Sequence, residues 1–108
     1  MTSLRPVHPG DVLRKDFLEP LGMTPYRLAR ELRVTPVRIN DIVRRRRAVS
    51  ADTALRLGAY FGTSPQFWLN LQVNHDLEVA ARKSSRILSG IRSRGVSVTA
   101  GRSSQNSG

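Results

Sequence analysis

Residues 34–50 read VTPVRINDIVRRRRAVS and gather side chains suited to a nucleic acid. Asn40 carries a donor and an acceptor on one amide, the pair that matches an adenine edge. Val37 offers methyl groups to a thymine methyl, and Arg38 can reach guanine or a phosphate. Asp41 has two readings: it accepts from cytosine N4, or it orients Arg38 or Arg44, three residues to either side, through a helical ion pair. The second is favoured. Thr35 sits where a helix begins, so it caps that helix and can also meet a phosphate there. Arg44, Arg45, Arg46 and Arg47 follow at once, where a chain leaving a groove crosses the backbone, and are assigned to phosphate contact. The alternative for each is a solvated loop. Arg27, on the polar face of the preceding helix, completes the candidate set.

These side chains need helices to aim them, and punctuation places five. Pro9 opens the first, over about residues 9–18, with Leu13 and Phe17 four apart and Pro20 and Gly22 as its end. Thr24–Pro25 and Thr35–Pro36 are two cap-and-proline starts eleven residues apart, which leaves a tight turn between two short helices. The first of these buries Leu28, Ala29 and Leu32, while Arg27, Arg30 and Glu31 face outward. The second buries Ile39, Ile42 and Val43, so Val37, Asn40, Asp41 and Arg44 project from its other side. Arg33 occupies the turn, where a positive φ ordinarily favours glycine, a cost of about 1 kcal/mol. Ser50 and Asp52 open a fourth helix that ends at Gly62, and Ser64–Pro65 a fifth that runs to about Arg82. Trp68, Phe67 and Leu71 on the fifth are read as packing, either in the core or at a dimer interface.

No stretch alternates as a strand does, so the fold class is all-α. Residues 1–83 form one compact five-helix domain, and residues 84–108, rich in Ser and Gly with four arginines and no acid, form a largely disordered tail. Ile87, Leu88 and Ile91 can add a turn of helix there.

The 108 residues carry 18 Lys and Arg against 8 Asp and Glu, a net charge of +10. Residues 27–47 alone hold eight arginines and two acids, so the excess is concentrated on the paired helices and points to a polyanion. Cysteine is absent, which excludes disulfides, thiolate catalysis and cysteine-held zinc and fits a reducing cytoplasm. The N-terminus lacks a signal-peptide core, and no apolar run approaches the ~20 residues that span a bilayer. His8 and His75 have no ligand partner at a metal-like spacing, and no phosphate loop or nucleophile motif is present. Neither a cofactor nor enzymatic activity is expected.

Two short helices across a tight turn, the second with polar residues outward, are the parts of a helix-turn-helix. Beyond them, HPGDVL at residue 8, SADTALRL at residue 50 and SPQFWLNLQ at residue 64 make residues 8 to about 80 resemble the HigA/VapI-type antitoxins, a branch of the lambda-repressor-like (XRE) family. That resemblance implies a bacterial type II toxin-antitoxin system. Its members bind and neutralise a HigB/RelE-like ribosome-dependent mRNA endonuclease, and bind their own double-stranded operator DNA as homodimers to repress the operon. A solitary regulator of the same fold is the runner-up, and an RNA-binding or nucleoid-associated protein stands third.

Overall fold

The computed structural model describes residues 5–95. Six helices follow in order, with no strand among the described residues. The first, α1 (9–21), is composite: Pro9–Val12 and Glu19–Leu21 are α-helical, and Leu13–Leu18 between them is a π-helix. It therefore runs about one turn further than its sequence suggests. The reason lies in the register: Glu19 N–H bonds the carbonyl of Arg14 five residues back, so the backbone is already widened where the ring of Pro20 enters. The helix stops instead at Gly22, with φ 62°.

The next two helices are α2 (Pro25–Leu32) and α3 (Pro36–Val43). Thr24 Oγ1 accepts from Arg27 N–H at 3.1 Å and Thr35 Oγ1 from Arg38 N–H at 3.3 Å, the caps their positions predict. Each helix then closes in the same way. After α2, Val34 N–H bonds the Ala29 carbonyl and Arg33 N–H that of Arg30; after α3, Arg46 N–H bonds Asp41 and Arg45 N–H bonds Ile42. These are Schellman closures, which place one residue in the left-handed region. That residue is Arg33 (φ 60°) after α2 and Arg45 (φ 65°) after α3. The turn thus keeps its usual geometry with arginine in a glycine position.

Helix α4 (Ala51–Phe61) starts from Ser50 and ends at Gly62, α5 (Pro65–Lys83) starts from Ser64, and Ser85–Ser89 adds the single-turn α6. Ile87 and Leu88 lie in that turn and Ile91 beyond it. The expectation of a disordered tail falls, for residues 96–108, outside the described residues.

Leu13, Leu28, Ala29, Ile39, Ile42, Leu57 and Trp68 are fully buried and form the centre of the core. α2 packs on α3, α5 on α4, and α1 bridges α3 and α5, so the core sits directly behind the paired helices. Ala29 is small where α2 and α3 approach. Trp68 belongs to this core, its indole N–H donating to Thr63 Oγ1 at 2.8 Å, and Phe17 packs across it and Phe61. Phe67, in contrast, keeps more than a third of its surface exposed.

The start of α1 has a cap that sequence signals miss. Gly10 N–H donates to His8 Nδ1 at 2.9 Å, and His8 N–H donates to Asp11 Oδ2 at 3.0 Å, a reciprocal box built from His and Asp. His8 is buried and meets the ring of His75 edge-on at 4.8 Å. Burial, then His75 and Arg45, holds its pKa below 6.5, against the smaller pull of Asp11 and Asp76. The neutral ring is the folded form, so stability is fully present above about pH 6.5 and is lost as pH falls toward the lower folded value. His8→Asn keeps an acceptor for Gly10 without the titration. Urea midpoints of the native chain should therefore drop more between pH 7 and pH 5.5 than those of His8→Asn. Parallel curves would remove His8 as the cause.

Candidate nucleic-acid interface

The outward face of α3 is built on its inward one. Ile39 and Ile42 are fully buried, and three-and-four spacing turns Val37 to the opposite side, 61 % exposed. Asn40 and Asp41 are half-buried on the flanks, Arg44 is exposed at the helix end, and Thr35 is exposed at its start. Arg27, also exposed, lies on α2 with its Nε 3.7 Å from Glu31. Thr35 and Val37 are thus exposed at the start of α3, whereas Asn40 and Asp41, which spacing turns outward with Val37, are half-buried.

The four consecutive arginines do not act as one group. Arg45, at the left-handed position, turns its guanidinium inward: Nη1 donates to Asp11 Oδ2 at 3.0 Å and Nη2 to the Pro6 carbonyl at 2.8 Å. Its side chain and that of Asp11 are each only 19 % exposed. Arg44, Arg46 and Arg47 remain exposed. Arg47 Nη2 lies 3.9 Å from Asp41 Oδ2, a loose ion pair. Asp41 thus pairs with Arg47 rather than with Arg38 or Arg44, because the closure after Arg45 folds the chain back over the last turn of α3.

Arg38 is also engaged, though on the other side. Its Nη1 donates to Asp52 Oδ2 at 2.8 Å, in the first turn of α4. Hydrogen bonds from Arg38 and then Arg56 hold the Asp52 carboxyl below the usual carboxylate range.

The loop that carries Arg44, Arg46 and Arg47 is fixed at both ends. At one end Arg45 binds the N-terminal segment. At the other, buried Val49 donates its N–H to Gln72 Oε1 at 2.8 Å, and Gln72 Nε2 donates to Asp76 Oδ1 at 2.9 Å. Arg46 and Arg47 lie between these anchors and Arg44 directly precedes the first, so the exposed arginines are presented from a fixed backbone, which lowers the ordering cost of meeting a ligand.

Two features beside the paired helices escaped the sequence reading. Gly10 packs so closely on the end of α3 that an added Cβ would overlap the Ile42 carbonyl, and its place beside Pro9 within HPGDVL was the available signal. Tyr26, at the start of α2, is 59 % exposed; an aromatic residue just after a Thr-Pro start was a signal that could have found it. No group of three or more His, Cys, Asp or Glu among the described residues can hold a metal ion.

A model of the helix-turn-helix family matches residues 15–68, a span from within α1 to the buried tryptophan of α5. Virulence-associated protein I of Dichelobacter nodosus is 48 % identical over 81 residues, 75 % of either chain. Among solved structures, Pseudomonas aeruginosa antitoxin HigA with higBA promoter superposes with a TM-score of 0.81 at 43 % identity, covering 85 % of this chain and all of that one. Antitoxin GraA in complex with its operator gives 0.79 at 41 % identity, over 90 % of this chain and 98 % of that one.

Proposed function

The chain belongs to the helix-turn-helix family and to its HigA/VapI-type branch, and on that premise we propose that it is an antitoxin that binds its own operator DNA. It represses its operon as a homodimer and neutralises a HigB/RelE-like mRNA endonuclease. The observation that carries the DNA reading is the outward face of α3, where exposed Val37 and flanking Asn40 are followed by a loop pinned at Arg45 and Val49. Relatives solved with operator DNA support it, and those named as antitoxins support the toxin partner.

In this reading α3 enters the major groove with its first turns on the base edges. Val37 meets a thymine methyl and Asn40 an adenine. Thr35, Arg27 and the hydroxyl of Tyr26 line the backbone on one side, and Arg44, Arg46 and Arg47 line it on the other. Asp41 steadies Arg47. Two protomers set about 34–36 Å apart read a pseudo-palindromic site. Residues 1–83 are the DNA-binding domain and residues 84–108 a tail, and the protein works in the bacterial cytoplasm. Within the described residues, no helix is long and apolar enough to cross a membrane.

The test pairs two assays on the full chain. Duplexes tiled across the region upstream of its own gene should reveal one preferred site over a scrambled duplex at fixed salt. Coexpression with the adjacent reading frame should yield a complex in which that product no longer cleaves mRNA. Operator binding without a neutralised partner would leave a solitary regulator.

A further inference from the structure

Arg38, like Arg45, is claimed by a carboxylate on another helix, but it lies within α3 itself. Its Nη1 bonds Asp52 Oδ2 at 2.8 Å and lies 3.4 Å from Thr53 Oγ1. The same Asp52 oxygen accepts from Arg56 Nε at 3.0 Å, and Arg56 Nη1 donates to the Leu32 carbonyl at 2.8 Å. One acidic residue at the start of α4 therefore ties together α3, α4 and the C-terminal end of α2.

The Asp52 side chain is more than half exposed, and exposed ion pairs add little to stability. The consequence of this one lies in where it keeps a guanidinium. Arginine bonded to a carboxylate reaches a phosphate or a guanine only by giving up that charge-assisted contact. Arg38 lies between Val37 and Asn40 in sequence, so once released it would add a strong donor beside the two side chains assigned to base contact.

Resting on the DNA-binding reading, we infer that Asp52 is a positioning residue for sequence discrimination. It retains Arg38 against the start of α4 and leaves the base edges to Val37 and Asn40. Without Asp52, Arg38 turns to the DNA backbone and adds a contact that any sequence provides.

The experiment measures affinity for operator and for scrambled duplex across a salt series, with melting temperature recorded for each variant. Asp52→Asn should steepen the dependence of log affinity on log salt by about 0.9, the value of one phosphate contact, and narrow the ratio between operator and scrambled duplex. Arg38→Gln alone should leave the native slope unchanged. Asp52→Asn in the Arg38→Gln background should restore the slope of Arg38→Gln. A lower melting temperature with unchanged slope and ratio would reduce Asp52 to a structural tie and overturn the inference. So would a steeper slope that persists in the double variant, since loss of the acidic charge alone would then explain it. A shallower slope for Arg38→Gln would show Arg38 already on the phosphates and would overturn the inference equally, and this arm holds even if Asp52→Asn folds poorly. A native chain that does not distinguish operator from scrambled duplex would remove the DNA reading itself, and the inference with it.

Discussion

Gly10→Ala is expected to destabilise the protein by about 2–3 kcal/mol, the upper range for forcing atoms into a packed site. A Cβ at Gly10 would overlap the Ile42 carbonyl oxygen, sit 2.7 Å from its carbon and press the His8 ring at 3.1 Å. None of these neighbours can yield easily. The Ile42 carbonyl accepts Arg45 N–H in the closure of α3, and His8 accepts Gly10 N–H in the cap of α1. Moving α1 away would also stretch the Arg45–Asp11 contact, so the end of α3 and the N-terminal segment must shift together. Gly22→Ala is the control. It has open space around it, and its φ of +62° costs about 1 kcal/mol in non-glycine residues. Urea unfolding should place the Gly10→Ala midpoint well below that of Gly22→Ala at a similar slope. A smaller shift than the control would mean that α1 and α3 are not in close contact.

The second large effect concerns binding. Replacing Arg44, Arg46 and Arg47 together with alanine removes up to three phosphate contacts, so the salt slope of operator binding should fall by about 2–3. Affinity for operator and for scrambled duplex should decline nearly in parallel, because phosphates carry no sequence. Adding Arg45→Ala should leave that slope where it is and instead lower the melting temperature. Its guanidinium is held by Asp11 and the Pro6 carbonyl, and its removal leaves half-buried Asp11 with the His8 N–H but without its cation. An equal contribution to the slope from Arg45 would contradict its inward assignment.

The contrast among these arginines marks where sequence reading stops. Cap-and-proline starts at residues 24, 35 and 64 and the serine cap at residue 50 are local chemistry, and each cap hydrogen bond is present. The buried faces of α2 and α3 follow from spacing alone, as does the exposure of Val37, although Val43 at the end of α3 is only half-buried. The positive φ at Arg33 was legible because turn geometry demands it whatever residue is present.

What escaped depends on register and on distant contacts. The widened turn before Pro20 is set by which carbonyl Glu19 N–H selects, and a proline by itself suggests only an end. Four identical neighbours in sequence do not show which guanidinium turns inward; the left-handed backbone at Arg45 directs one toward Asp11, 34 positions earlier. Helical spacing points Asp41 to neighbours three residues away, whereas the returning loop brings Arg47 to it. His8 and His75 looked unrelated until α5 crossed the start of α1 and set their rings 4.8 Å apart. Asp52 likewise looked like a first-turn acid favourable to the helix dipole, and its hold on Arg38 required the packing of α4 against the paired helices.

The central claim is that the quiet face of α3 reads sequence while the arginines beyond it hold the backbone. It is tested most directly by Asn40→Ala, titrated at one salt concentration against the operator and a set of single-base-pair variants. The substituted protein should lose about 1–3 kcal/mol of discrimination at one A·T pair in each half-site, with its affinity for scrambled duplex unchanged. An equal loss of affinity on every duplex, with discrimination intact at each position, would contradict the claim.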